Sequence, residues 1–348
     1  MYDMDEFVTK IIDIGTCFYR GGFSGDDSMC LSDYTMIFYP NDTKKQNSYY
    51  VGCFNGEVSK VKKPIERGAI KNWDDMEIIL DEIFKQFERY HISSRSVLHV
   101  DSLLDPTINR GKMSEIMFEN AGLFTTLIIN IGHGTTQIVP VYELSAITSA
   151  ASELNISGVD ITQMFENLLY ERGYTFNDPT DIEYLKRKSS YVADDFESEL
   201  IKAKTTNECN QTISVDSQEI TLSYERFVCY EQLFRNQSNG FNQKGIVEAA
   251  YDSIMSLDEE LRKKIKCIYL MGGSTLVDGL IDRFDKELTK KMENKNIKFK
   301  ILATVERPKN SWVGASIFSS LSWYDQAYVK KDEYDEYGLS FVLKKCFN

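Results

Sequence analysis

Several features that would place a protein in a simple class are scarce or missing in this sequence. Its seven cysteines are odd in number and scattered, with no Cys-x-x-Cys pair. Together with the lack of a secretory signal at the N-terminus, this pattern predicts free thiols in a reducing compartment. No apolar run approaches the ~18 residues that a membrane span needs. The sequence therefore predicts a soluble intracellular protein with no membrane partner.

Basic residues are also in deficit. Forty lysines and arginines face 53 acidic residues, for a formal net charge of −13. Non-specific nucleic-acid binding depends on basic side chains that neutralise phosphates, so we expect no direct nucleic-acid partner. No low-complexity linker marks a domain boundary, although 348 residues are enough for two domains or one large two-lobed fold.

Strand-like segments alternate with helical ones along the chain, which predicts an α/β fold. A helix is expected at 72–90, where apolar residues recur at three- and four-residue steps. Further helices are expected at 109–121, 157–174, 181–203, 245–258, the later part of 266–292, and 311–329. Strands that alternate with glycine turns are expected within 7–27 and 34–52, and other strands within 96–102 and 207–227 and at the start of 266–292. The polar tract 41–48 is expected to be a surface loop.

One internal repeat carries most of the functional information. "KIIDIGT" (10–16) and "LIINIGH" (127–133) share a pattern of two apolar residues, an acid or amide, isoleucine and glycine. Each precedes a second apolar strand, so the two hairpins indicate a duplicated core whose turns could direct backbone N–H groups at an anion. The Gly272-Gly273 pair after "CIYLM" is expected to open a helix and hold another part of that ligand. The alternative is that each is simply a tight glycine turn.

The ordered set of motifs resembles actin and the actin-related proteins over nearly the full chain. "DIGTCFYRGGFSGDD" and "IGHGTTQIVPVYE" are similar to the two phosphate hairpins, and "YLMGGSTLVDGLIDRFDKEL" is similar to the adenosine loop with its helix. "SGVDITQMFENLLYERGYTF", "YVADDFESEL" and "SWVGASIFSSLSWYDQAYVKKDEYDEYG" follow in the family's order. The resemblance implies the two-lobed α/β architecture of actin, Hsp70 and sugar kinases, with duplicated mixed-sheet domains around a central cleft. It implies ATP or ADP and Mg²⁺ as ligands.

The resemblance also implies the domain boundaries. An outer lobe would comprise 1–121 and 306–348, with a small subdomain at about 30–66. An inner lobe would comprise 122–305, with a small subdomain at about 160–243.

Carried over residue by residue, the resemblance implies a set of nucleotide-binding positions. They are Gly15, Thr16, Cys17 and Arg20 on the first turn, Gly132, His133, Gly134 and Thr135 on the second, and Gly158, Lys186, Arg187, Gly272, Gly273, Ser274 and Lys309 elsewhere. Asp13 and Asn130 would hold the metal through water. Gln137 stands where the family has a histidine that positions the attacking water.

The sequence departs from the family pattern at positions that the resemblance assigns to ATP hydrolysis and phosphate binding. Asn130 and His133 replace acids, Gln137 replaces that histidine, and Arg20 replaces a phosphate-binding lysine. About one helix is missing before "LFTTLIINIG", and with it the family's catalytic glutamine. Without these water-positioning and charged groups, the activation barrier for ATP hydrolysis should be several kcal/mol higher. Each increase of about 1.4 kcal/mol in that barrier lowers the rate tenfold. We expect weakened but retained nucleotide binding, with weak or lost hydrolysis and no confident catalytic residue.

These departures favour a structural role. The leading hypothesis is an actin-related subunit of a larger cytoskeletal or motor-associated assembly, cytoplasmic and cytoskeleton-associated, with actin or other actin-related subunits among its partners. The alternatives are a conventional ATP-hydrolysing filament former, a subunit of a nuclear chromatin-remodelling complex, and a small-molecule kinase of the same fold. The segment 38–52 is short and polar where the family inserts an apolar loop into the next subunit, so longitudinal contacts should be weak.

The last helical segment allows two interpretations. Ile317, Phe318, Leu321 and Trp323 would line one side of the groove that receives actin-binding partners. Core packing of an amphipathic helix explains the same four residues at least as well.

Overall fold

The chain folds into two compact units, each assembled from separate stretches. The first comprises residues 1–124, 141–146 and 309–348, and the second comprises 125–140 and 147–308. The computed structural model describes residues 8–40, 49–53, 58–90, 96–100, 125–142, 145–176, 178–215, 218–235, 244–295, 297–320, 333, 335–338 and 341.

A four-stranded mixed sheet forms the centre of the first unit. Its order is β3–β2–β1–β9, with β1 antiparallel to β2 and parallel to β9. These strands are β1 (Thr9–Ile14), β2 (Phe18–Phe23), β3 (Leu31–Tyr34) and β9 (Ser96–Val100). Three smaller strands, β4 (Ile37–Pro40), β5 (Tyr50–Val51) and β6 (Val58–Lys62), form a second sheet, and β7 (Ile65–Glu66) pairs with β8 (Ala69–Ile70).

Two helices cover the opposite faces of that sheet. Consecutive β1 residues point to opposite faces, so Ile12 packs in the cluster containing helix α1 (Trp73–Glu88) and Ile11 packs in the cluster containing α9 (Asn310–Ser319). The buried side of α1 follows the predicted period through Met76, Ile79, Ile83 and Phe87. Trp73 fits the apolar spacing, which predicts that it lies on this buried side, but it occupies the first helical position and is 70% exposed.

The glycine pair Gly21-Gly22 lies inside β2 and not in a turn, contrary to the sequence interpretation. A Cβ on Gly21 would lie 2.9 Å from Cζ of Phe87, and one on Gly22 would lie 2.3 Å from Cζ2 of Trp312. The two glycines therefore let both covering helices approach the strand closely.

The second unit is built on a sheet with the order β17–β16–β10–β11. Strands β10 and β16 are parallel, as are β16 and β17. Its strands are β10 (Thr125–Ile131), β11 (Thr136–Tyr142), β16 (Cys267–Met271) and β17 (Lys300–Leu302). Strand β13 (Ser152–Leu154) pairs with the start of β11. The last two residues of β11, Val141 and Tyr142, belong to the first unit, as does β12 (Ser145–Ala146), with which they pair.

Helices contribute side chains to one large apolar core that includes Ile129, Phe165 and Phe284. They are α2 (Gly158–Glu171), α3 (Pro179–Ser189), α5 (Glu225–Glu231), α6 (Ile246–Ser256), α7 (Glu259–Lys264) and α8 (Leu280–Met292). Helix α4 (Phe196–Thr205) belongs to the same unit but has no buried residue. Gly173, with φ +88°, follows the end of α2 as predicted. A hairpin of β14 (Gln211–Val215) and β15 (Gln218–Leu222) completes the unit.

Three sequence predictions are wrong in detail. The single helix expected over 181–203 is two helices, because the intervening chain is extended and the Val192 N–H donates to the Asp278 carbonyl at 2.8 Å. The strands expected over 207–227 give way to helix at Glu225. The Gly272-Gly273 pair leads into a 3₁₀ turn (Gly273–Leu276), and the long helix begins only at Leu280.

Some predictions fall outside the described residues. These are the helix at 109–121, the loss of a helix before "LFTTLIINIG", the loop at 41–48, and Leu321 and Trp323 of the expected groove. Phe318 is buried in the core, which supports the packing interpretation for that residue. Among the described residues, no helix is long and apolar enough to cross a membrane.

Candidate functional site

The two repeated hairpins share the geometry of their turns. The N–H of Gly15 donates to the Phe18 carbonyl at 2.9 Å, and the N–H of Gly132 donates to the Thr135 carbonyl at 2.9 Å. In both, the first strand also has a parallel neighbour on its other side, β9 for β1 and β16 for β10. Asp13 stands two residues before the first glycine and Asn130 two before the second. The predicted internal repeat is therefore structural as well as sequential.

The first turn carries an ion pair. Asp13 and Arg20 are opposite each other across β1 and β2, and an Arg20 Nη1 donates to Asp13 Oδ2 at 3.2 Å. Burial raises the pKa of Asp13, and the positive charges of Arg20 and His99 only partly oppose this. Arg20 therefore neutralises the one carboxylate that the sequence assigns to metal binding.

The other first-turn residues are anchored to their own unit. Thr16 Oγ1 accepts a hydrogen bond from the Gly68 N–H at 3.0 Å, which links the turn to the β7–β8 hairpin. Cys17 is buried in a small cluster with Met36 and Phe38, so its side chain serves packing. Only its backbone remains a candidate for contact with a ligand.

The second turn is closed by the start of α2. The Gly158 N–H donates to the Gly132 carbonyl at 2.9 Å, and the Val159 N–H donates to the His133 carbonyl at 2.7 Å. A Cβ on Gly158 would lie 2.8 Å from the His133 Cα and 2.6 Å from Ser274 Oγ. The first N–H groups of α2 thus bind the turn itself, and the predicted role of Gly158 becomes one of close packing.

The Gly272 turn packs against the same region. Gly272 has φ +89°, and a Cβ there would lie 2.4 Å from the Ile131 carbonyl oxygen and 2.6 Å from Asn130 Oδ1. Ser274 Oγ donates to the Gly132 carbonyl at 3.1 Å. The predicted residues Asn130, Gly132, Gly158, Gly272 and Ser274 are therefore brought together. A Cβ built on Gly273 would meet no atom of the described residues within 4 Å.

Arg307 is a contributor that sequence reasoning missed. Its Nε donates to Thr275 Oγ1 at 2.9 Å and an Nη donates to the Thr275 carbonyl at 3.1 Å. Its own carbonyl accepts the Gly272 N–H at 3.1 Å. Partial burial lowers the pKa of Arg307. Arg307 thus fixes the Gly272 turn, and nothing in the local pattern distinguishes it from a surface arginine.

A buried polar cluster joins the second turn to α3. Glu183 lies 3.5 Å from His133 Nδ1 and 3.0 Å from Lys186 Nζ, and its Oε1 is 2.5 Å from Thr162 Oγ1. Burial would raise the pKa of Glu183, but the positive charges of Lys186 and His133, with hydrogen bonds from Thr162 and Lys186, outweigh it and hold the pKa below its ordinary value. The sequence interpretation did not include Glu183, although its spacing from Lys186 on one helix was a usable signal.

Backbone donors remain at the second turn. Within the part of the chain that the structure describes, no acceptor takes the N–H of Gly134 or Thr135. Successive backbone N–H groups in such a turn attract anions.

Three further predicted residues have other surroundings. Gln137 is 2% exposed, and its Nε2 is 3.5 Å from Glu153 Oε2 on the neighbouring strand. Arg187 is exposed, and its Nε lies 3.4 Å from the Glu183 carbonyl one helical turn earlier. Lys309 immediately precedes α9 in the first unit.

A family model described as actin matches residues 4–124 and 170–347, which is most of the sequence. The chain belongs to the actin family. The mixed α/β sheets of its two units agree with that fold, as the resemblance implied. The second turn and the start of α2 lie between the matched stretches. Within these intervening residues, the similarity of the second turn to the first is carried by the sequence repeat and by the shared turn geometry.

The donors assigned to Mg²⁺ suit only an indirect site. Asp13 supplies one carboxylate and Asn130 one amide oxygen, and both groups can accept hydrogen bonds from metal-bound water. Among the residues described, no group of three or more His, Cys, Asp or Glu side chains could hold a metal ion.

Proposed function

We propose that this actin-family protein binds ATP or ADP with Mg²⁺, hydrolyses ATP slowly or not at all, and serves as a structural subunit of a multi-subunit assembly. The nucleotide would act as a ligand that stabilises the folded state by mass action. Cytoskeletal or motor-associated complexes containing actin or other actin-related subunits are the proposed setting, in the cytoplasm.

The observation that carries this proposal is a difference between the backbone and the side chains of the second turn. Its backbone N–H groups at Gly134 and Thr135 have no acceptor among the described residues, so they are available to phosphate oxygens. Its side chains are neutral or already engaged: Asn130 lies against Gly272, His133 beside Glu183, and Gln137 beside Glu153.

Binding and hydrolysis make different demands on such a turn. Binding requires donors and a fitted backbone, which the turn has. Hydrolysis requires groups that orient water and stabilise charge as it develops in the transition state. A neutral amide at Asn130 and a buried Gln137 supply little of either.

Calorimetry and phosphate release test the proposal together. Purified protein should bind Mg-ADP and Mg-ATP, while single-turnover phosphate release should be at least about a hundredfold slower than that of conventional actin measured alongside it. Failure to bind either nucleotide, or release at the conventional rate, would contradict it. Sedimentation with Mg-ATP separates the structural subunit, which should stay in the supernatant, from a filament former.

A variant that restores the negative charge at position 130 tests the proposed contact with the water shell of Mg²⁺. Asn130→Asp replaces the amide with a carboxylate of the same shape. The ratio of nucleotide affinity with Mg²⁺ to affinity without it should be about tenfold larger in this variant than in the wild type. Asn210→Asp, at an exposed position in the same unit, is the matched control for added charge and should change nothing. Equal behaviour of the two variants would show that Asn130 has no contact with the metal's water shell.

A further inference from the structure

The Glu183 cluster has a feature that the proposed function does not explain. Lys186 and His133 are both assigned to nucleotide binding, yet both face the carboxylate of Glu183. Lys186 is only 4% exposed and Glu183 only 8%. These two basic side chains, which should attract a phosphate, are thus already paired with a carboxylate inside the protein.

The hydrogen bonds of Lys186 are complete. A lysine ammonium has three N–H donors. Lys186 Nζ lies 3.0 Å from Glu183 Oε2, 2.5 Å from Thr162 Oγ1 and 3.3 Å from the Gly158 carbonyl oxygen. Three acceptors for three donors leave none for a ligand, so Lys186 can reach a nucleotide only by leaving Glu183.

The cluster is held from several sides. Thr162 and Gly158 belong to α2, Glu183 and Lys186 belong to α3, and His133 belongs to the turn. Thr162 Oγ1 also lies 2.8 Å from the Gly158 carbonyl oxygen. Freeing Lys186 would therefore break contacts between two helices and leave a carboxylate buried without its partner.

We infer that Glu183 is a positioning residue that keeps Lys186 and His133 away from bound nucleotide, so that this chain holds phosphates through backbone N–H groups and not through those side chains. The inference rests on the proposed nucleotide binding and deepens it. It replaces the role that the resemblance gave to Lys186: in this protein Lys186 stabilises the site from within. The carboxylate also repels an anionic ligand, so Glu183 lowers affinity in two ways.

Removing the carboxylate provides the main test. Calorimetry with Mg-ADP should show that E183Q binds about tenfold more tightly than the wild type, because the repulsion is gone and Lys186 is released. E259Q removes one negative charge from an exposed pair with Lys263 in the same unit, and should bind within twofold of the wild type. A purely structural role for Glu183 would weaken binding on its removal and could not strengthen it.

Losing one partner of a buried ion pair is strongly destabilising, so a second variant is needed in case E183Q does not fold. The double variant E183Q/K186M removes both charges, and such neutral replacements of buried pairs are well tolerated. It should bind Mg-ADP within about threefold of the wild type, because the wild-type lysine makes no contact with the ligand. A tenfold loss would show that Lys186 binds nucleotide and would overturn the inference.

The outcomes separate this inference from the proposed function. If the wild type binds nucleotide and E183Q binds no more tightly, the function stands and the inference fails. If only E183Q binds, Glu183 opposes nucleotide binding but the wild-type chain holds no phosphate, so the proposed function and the inference both fail. If neither binds, both are wrong.

Discussion

The two glycine turns have the same hydrogen-bonded closure but opposite electrostatic surroundings. In the first, Asp13 and Arg20 form an ion pair directly at the turn, and burial raises the pKa of the carboxyl. In the second, the corresponding position is the neutral Asn130, and the nearby ion pair of Glu183 and Lys186 lowers the pKa of its carboxyl. The two turns therefore share a backbone geometry but differ in the charges around it.

The turns also differ in how they are supported. Among the described residues, a Cβ on Gly15 would meet only the Phe18 carbonyl oxygen, at 3.3 Å. The start of α2 and the Gly272 turn both approach the second turn so closely that a Cβ on Gly158 or Gly272 would clash with it. The second turn is therefore closely packed, while the N–H groups of Gly134 and Thr135 have no acceptor among the described residues, which suits retained binding better than catalysis.

The largest expected effect comes from breaking the Glu183 cluster and following stability with pH. E183Q should lower the free energy of unfolding at neutral pH by about 3–5 kcal/mol, because the folded protein loses one partner of a buried ion pair. The native pKa of Glu183 lies below its ordinary value of 4.5. Its stabilisation is thus present above that value and is lost as pH falls through the native pKa, so the difference between E183Q and the wild type should narrow in acid.

The first turn should show the opposite slope. The native pKa of Asp13 lies above its ordinary value of 3.8. Its contribution is therefore present below that pH and is lost as pH rises through the native pKa, so the wild type should lose stability relative to Asp13→Asn over that interval. Urea unfolding of the wild type, E183Q and Asp13→Asn at a series of pH values measures the pH dependence of stability at both positions. Slopes of the same sign for the two variants would refute the electrostatic contrast between the turns.

An intermediate effect is expected at the Gly272 turn. Gly272→Ala should lower the free energy of unfolding by about 2–4 kcal/mol, since it combines a left-handed backbone with a clash against the end of β10. Gly273→Ala is the matched control one residue away, where a Cβ meets no atom within 4 Å. Urea denaturation should place that control within about 1 kcal/mol of the wild type. Equal losses would mean that the turn is not packed as described.

The smallest effect is expected at Thr16. Thr16→Val removes the acceptor of the Gly68 N–H and should cost about 1 kcal/mol, with faster hydrogen exchange of the Gly68 amide. Thr206→Val, at an exposed hydroxyl of the second unit, is the control and should leave that amide unchanged. Unaltered exchange at Gly68 in Thr16→Val would show that the first turn is not fastened to the β7–β8 hairpin.

Local sequence signals predicted most of the fold because they reflect short-range physics. Apolar spacing located α1, and the repeated glycine pattern located both hairpins. The failures share a cause: the Gly21-Gly22 pair and the break between α3 and α4 are imposed by Phe87, Trp312 and Asp278, which are distant in sequence. Propensity cannot register such partners.

In the candidate site, too, local features could be predicted from the sequence and contacts between distant residues could not. The sequence by itself determined the actin-like order of motifs, the duplicated turns and the neutral Asn130, because each is written in consecutive residues. Only the tertiary structure decided that Asn130 lies against Gly272 and that Glu183 holds Lys186 and His133. The physical reason is burial: within one helix Glu183 and Lys186 could have formed an ordinary surface pair, and it is the packing of α2 and the turn around them that removes water and makes the pairing strong.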